Sequence, residues 1–138
     1  MPANIFSEQL LIAGATEDFV ASLYDYLDQP LVIQATDVVR FKLALAEGGP
    51  AALDVDSVAP LAGGSVVTIT SLGSLPATPA AVTIRLGQAD TVGLAAARYF
   101  AELGLVDDSE VNPANAYKVC GRGTFRVRKQ LGGDIGLT

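Results

Sequence analysis

Apolar and polar residues alternate with a period of two through much of this chain. The alternation is cleanest from Thr36 to Ala46, where Val39, Phe41, Leu43 and Leu45 share one face and Arg40 and Lys42 the other. That spacing marks a strand with one side buried and one side in water. Asp18 to Asp25 repeats it, with Phe19, Ala21 and Leu23 set against Val20, Ser22 and Tyr24. Shorter apolar or β-branched runs occupy Gln9 to Ala13, Ser65 to Leu72 and Ala81 to Leu86, each bounded by glycine or proline. Tyr117 to Lys129 reads as the last strand, with Phe125 and Val127 inward and Thr124, Arg126 and Arg128 outward. Tyr26 to Pro30, Gly48 to Pro50 and Gly73 to Pro79 carry the turn chemistry between these runs. Residues 51–64, rich in Ala, Asp, Pro and Gly, read as a long irregular connection, and 108–114 as a polar loop. About seven short strands separated by turn signals predict an all-β sandwich.

The stretch from Ala81 to Asp107 admits two readings after its first strand. Asp90 as a cap, the run Ala95-Ala96-Ala97, Gly104 as a terminator and the face Val92, Ala96, Tyr99, Leu103 together describe a helix. Alternatively the chain turns a corner near Leu94 and enters a strand at Arg98-Tyr99. Immunoglobulin-like sandwiches place a tyrosine at such a corner, its ring in the core and its hydroxyl bonded to backbone just upstream. Leu94 and Tyr99 are the residues expected to fix it, and the surrounding strands favour this second reading.

Composition narrows the functional classes. With 138 residues, half of them hydrophobic and 17% charged, the chain suits one globular domain. The expected division is an extended arm at 1–8, an antiparallel β-sandwich at 9–129 and a tail at 130–138. No apolar run approaches the roughly 20 residues of a membrane span, and the opening MPANIFSEQ lacks the basic and apolar regions of a signal peptide. A net charge of −6 argues against wrapping nucleic acid. The chain has no histidine and one cysteine, which removes the commonest general base, the commonest metal ligand and any internal disulfide. No cofactor and no enzymatic activity are expected.

The remaining candidate chemistry is sparse. Cys120, between Val119 and Gly121, reads as a buried small apolar residue. Asp54 and Asp56, and the cluster Asp107, Asp108 and Glu110, offer oxygen ligands without the pattern of a calcium loop. Asp18, Asp25, Asp28 and Asp37 show no spacing that would face two of them as a glycosidase pair. More informative is the last strand, where Lys118, Arg122, Arg126, Arg128 and Lys129 make five of the nine basic residues. Its outward face, Arg126 and Arg128 above all, is either a solvated edge or a docking face for an acidic neighbour.

Three groups of residues together resemble a family of phage virion domains. The first is Gly14, Asp18-Phe19, Asp25 and Gln29-Pro30-Leu31, and the second is Thr36 to Leu43. The third runs Val82 to Leu86, Ala89-Asp90-Thr91, Leu94 and Arg98-Tyr99, closed by Gly123 to Val127. They resemble the immunoglobulin-like domain at the N-terminus of siphophage upper-baseplate proteins, over roughly residues 9 to 129. The family usually carries Pro-Gly where Ala96-Ala97 stand here. The resemblance implies a virion structural protein, assembled in the host cytoplasm and bound to the major capsid protein or to tail or baseplate subunits, as a homo-oligomer. A head decoration or cement protein is the leading expectation and a tail or baseplate adaptor the alternative. The expected interface is the apolar arm Ile5, Phe6, Leu10 and Leu11 with Arg126 and Arg128. A sugar-binding sandwich using Tyr24, Tyr26 and Tyr117 is the third possibility.

Overall fold

The computed structural model describes residues 6–25, 27–106, 111 and 117–129. Within them the order is β1 (Gln9–Ala13), β2 (Glu17–Ser22), β3 (Val38–Ala44), β4 (Ala51–Asp56), β5 (Val66–Ser71), β6 (Ala81–Leu86), α1 (Gln88–Thr91), β7 (Ala97–Val106) and β8 (Tyr117–Lys129). Two sheets pack face to face, a five-stranded one ordered β1-β8-β7-β3-β4 and a three-stranded one ordered β2-β6-β5. The chain crosses between the sheets at β1 to β2, β2 to β3, β4 to β5 and β6 to β7. The expected all-β sandwich is therefore present, with one amendment to its antiparallel character. β1 runs parallel to β8, Gln9 opposite Phe125 and Ala13 opposite Lys129.

The alternation explains the core. Leu11, Val39, Phe41, Leu43, Val82, Leu86 and Leu103 are fully buried between the sheets. Phe125 receives Phe19 and Phe41 edge-on, with centroids 4.8 and 5.5 Å away, the geometry that ring quadrupoles prefer. Each buried ring or branched aliphatic stabilises the fold by about 1.5–3 kcal/mol relative to exposure.

The stretch after β6 takes the corner, with one short helix in it. Gly87 precedes α1 in an extended conformation, and Asp90 is not its cap. The Asp90 carboxylate instead accepts from the amides of Gly63 and Ser65, both at 3.0 Å, pinning the loop before β5. Thr91 is drawn inside, its hydroxyl oxygen accepting from the Gly14 amide at 3.1 Å. A helix to Leu103 does not form because Tyr99, Ala101 and Leu103 alternate into the core while β7 bonds to β3 on one side and β8 on the other. Two full ladders outweigh the helix propensity of three alanines.

Residues 51–64 are not a single irregular connection. Leu53 and Val55 point inward and Asp54 and Asp56 outward along β4, where Arg40 of β3 takes the Asp54 carboxylate in a bidentate pair at 2.9 and 2.7 Å. Only residues 57–65 are irregular. Leu45, placed on the inner face by its spacing, is 58% exposed, because β3 ends at Ala44 and the hairpin turns it away.

Candidate functional site

The basic residues are unevenly divided between the two sheets. Eight of the nine Lys and Arg residues lie on β3, β7 and β8, all in the five-stranded sheet, and only Arg85 lies on the other. Six of them, Arg40, Lys42, Arg98, Arg122, Arg126 and Arg128, project from the outer face, whereas Lys118 lies in register with the inward Leu105 and Lys129 shares the phase of Phe125 and Val127. Lys42, Glu102 and Arg122 stand side by side across β3, β7 and β8, as do Ala44, Phe100 and Thr124 in the next row. Beyond them Arg98 faces Arg126, which also lies opposite Leu10 of β1.

Two arginines set opposite each other repel unless an anion intervenes. Glu8 supplies it. Its carboxylate lies 2.9 Å from Arg98 and 3.6 Å from Arg126, and the Thr124 hydroxyl donates to it at 3.1 Å. The Thr124 hydrogen bond and the two guanidinium groups hold the Glu8 carboxyl below its ordinary value. Sequence reading missed Glu8, Arg98 and Phe100. The outward phase of β7 is visible in the alternation, but nothing local to Glu8 points to Arg98.

The expected interface residues separate. Ile5 lies outside the described residues. Phe6 is docked on the sandwich, its amide donating to the Arg122 carbonyl at 2.8 Å and its ring meeting Phe125 edge-on at 6.2 Å. The ring covers Gly123, where a Cβ would collide with it. Leu11 is corrected outright, since it is fully buried as a core residue of β1. Leu10 is 48% exposed and stays on the outer surface. Arg126 is engaged by Glu8, and Arg128 is exposed opposite Ile12.

Tyr99 and Leu94 sit at the corner. The Tyr99 ring is buried and its hydroxyl donates to the Ala95 carbonyl, while Leu94 packs into the core. Lys129 adds a bond from its ammonium to the Leu94 carbonyl at 3.0 Å. Tyr117 covers Gly104, carries the Lys42 ammonium 5.1 Å from its ring centroid and donates to Glu102 at 2.5 Å. Burial and the neighbouring carboxylate push its phenol far above the usual range. A ring so covered is a poor sugar platform, and Tyr26 lies outside the described residues.

The titratable candidates serve the fold. Cys120 is fully buried, its thiol directed at the Leu103 carbonyl at 3.5 Å, and burial pushes its pKa up to about 12. Asp18 pairs with Arg85 at 2.9 and 3.2 Å, which holds its carboxyl below the ordinary value. Asp25 accepts from the Leu27 and Gln29 amides, in the turn where Asp28 takes a φ of 62°. Asp37 accepts from the Gln34 amide and Asp56 from the amides of Val58 and Ala59. Asp107, Asp108 and Glu110 lie outside the described residues. Among the described residues no three acidic or sulfur side chains gather as a metal site, and no helix is long and apolar enough to cross a membrane.

The outer face also holds a groove of about 480 Å³. The β3–β4 hairpin walls one side and β8 the other, with Ala44, Ala51 and Phe100 below and Lys42, Glu102 and Arg122 along it. No protein-family model matches the chain, and no curated protein matches it.

Proposed function

We propose that this protein is a non-enzymatic structural component of a bacteriophage virion, a head decoration protein that docks on the capsid shell through the outer face of its five-stranded sheet. The observation that carries the docking part is the gathering of six cations, Arg40, Lys42, Arg98, Arg122, Arg126 and Arg128, on one outer face of a chain whose net charge is −6. Arg122 and Arg128, exposed and in no ion pair among the described residues, are the cations of that face best placed to take carboxylates of an acidic neighbour. The virion part rests on the resemblance of residues 9 to 129 to baseplate domains, and self-association on the particle belongs to the same proposal. That resemblance equally favours a tail or baseplate adaptor, which is the second reading.

Imaging purified particles labelled for this protein tests the assignment: label on the shell supports decoration, label on the tail supports the adaptor, and no label overturns both. Pairing Arg126→Glu with Arg128→Glu should release the protein from particles while circular dichroism stays β-rich. Retention of that variant would remove the far end of the basic face from the interface.

A further inference from the structure

We infer that the groove between the β3–β4 hairpin and β8 takes an extended acidic segment of a partner protein, seating an apolar side chain on Phe100 and a carboxylate at Arg122. The inference rests on the reading of this protein as a docking module and names the chemistry of what docks.

The cations of the sheet are not equally available. Arg40 is held by Asp54, and Arg98 and Arg126 share Glu8. The Lys42 ammonium lies over the Tyr117 ring, and Lys129 is turned to the Leu94 carbonyl. Arg122 is exposed, forms no ion pair among the described residues, and its cross-strand neighbour Glu102 is taken by the Tyr117 hydroxyl. A guanidinium left open beside an apolar floor matches a carboxylate in bidentate geometry.

The floor supplies the rest. Phe100 is 38% exposed on a sheet face, next to Ala44 in register and close to Ala51, so a side chain can lie on the ring without obstruction. The volume of about 480 Å³ falls in the range of built ligand sites. Glu47 and Glu102 line the same groove and disfavour the continuous phosphates of a nucleic acid, whereas single carboxylates spaced along a peptide can avoid them.

The test is a titration of isotope-labelled protein, followed by amide NMR, with three probes. These are a short soluble peptide carrying Leu flanked by Glu and Asp, the same peptide with Lys in place of the acids, and a short oligothymidylate. The acidic peptide should shift Lys42, Phe100, Glu102 and Arg122. Arg122→Ala and Phe100→Ser should each weaken it, the former about tenfold, as loss of one charge-assisted hydrogen bond implies. Arg85→Ala, on the other sheet, should leave it unchanged. No binding of the acidic peptide, equal binding of the lysine peptide, preference for the oligonucleotide, or an Arg122→Ala variant that binds normally would each overturn the inference. Peptide binding by a protein that never labels particles would uphold the groove and defeat the virion reading. A labelled particle with an inert groove would do the reverse.

Discussion

The Tyr99 hydroxyl reaches back four residues to the Ala95 carbonyl at 3.0 Å, closing the bend by which the chain leaves α1 and enters β7. Its ring is only 2% exposed, so one side chain fills the core and ties the loop above it. Tyr99→Phe keeps the ring and removes the bond, and should cost about 1 kcal/mol. Thermal unfolding should then begin a few degrees lower. Tyr99→Ala should cost about 3–5 kcal/mol by emptying the ring's site. A Phe variant as stable as the parent would mean the bond contributes nothing.

Asp90 should matter more than the Tyr99 hydroxyl, through its bonds to backbone alone. Its carboxylate takes two amides, those of Gly63 and Ser65. Asp90→Ala strands both and should cost about 2–3 kcal/mol, in line with hydrogen bonds to a charged group. Hydrogen exchange at Gly63 and Ser65 should accelerate more than at β3, a contrast that global destabilisation alone would not produce.

Gly104→Ala should displace Tyr117, since a Cβ there overlaps the phenol ring. The Tyr117 hydroxyl would then leave Glu102. The substitution should destabilise by about 1–3 kcal/mol, the usual penalty of overpacking. Combining it with Tyr117→Ala should recover part of that loss, and a strictly additive double variant would refute the steric account.

The Glu8 contact should weaken in acid. Its carboxyl titrates below the ordinary value of 4.5 because Thr124, Arg98 and Arg126 favour the anion. The contribution is therefore complete above that ordinary value and disappears as pH falls through the lower folded value. Carboxyl NMR should place the midpoint below 4.5, and Thr124→Val should raise it towards 4.5.

Cys120 should resist thiol reagents in the folded protein. With the thiol fully buried and its pKa pushed up to about 12, almost no thiolate exists at neutral pH. Labelling should follow unfolding, so it should accelerate in denaturant along with loss of circular dichroism. Rapid labelling of the native protein would place the sulfur at the surface.

How much could be read beforehand depended on whether the determinant was local. β3 and β8 were legible because their own residues alternate. Tyr99 was legible because its residue type and its distance from Leu94 define a corner. β4 was overlooked because Asp54 and Asp56 made it resemble a loop, although Leu53 and Val55 hold the phase. Leu11 was placed outside with Leu10 because the four consecutive apolar residues of β1, Leu10 to Ala13, carry no alternation to separate them. The basic face was visible only in part: Arg98 and Glu8 meet across three strands whose register no single segment contains. Several residues behind the family resemblance, Gly14, Asp18, Arg85, Asp90 and Tyr99, hold loops and strands together. They speak to the fold and say little about a partner, which is why the groove around Phe100 and Arg122 had to come from geometry.

The parallel pairing of β1 with β8 has a mechanical consequence. Gln9 lies beside Phe125 and Ala13 beside Lys129, so tension applied between the start of β1 and the end of β8 pulls the two strands lengthwise past each other. The ladder is then loaded in shear, and its hydrogen bonds share the force instead of opening one after another as they would if peeled from an end. With Phe6 and Leu11 anchored beneath that ladder, stretching the domain between these points must break the β1–β8 attachment as a unit.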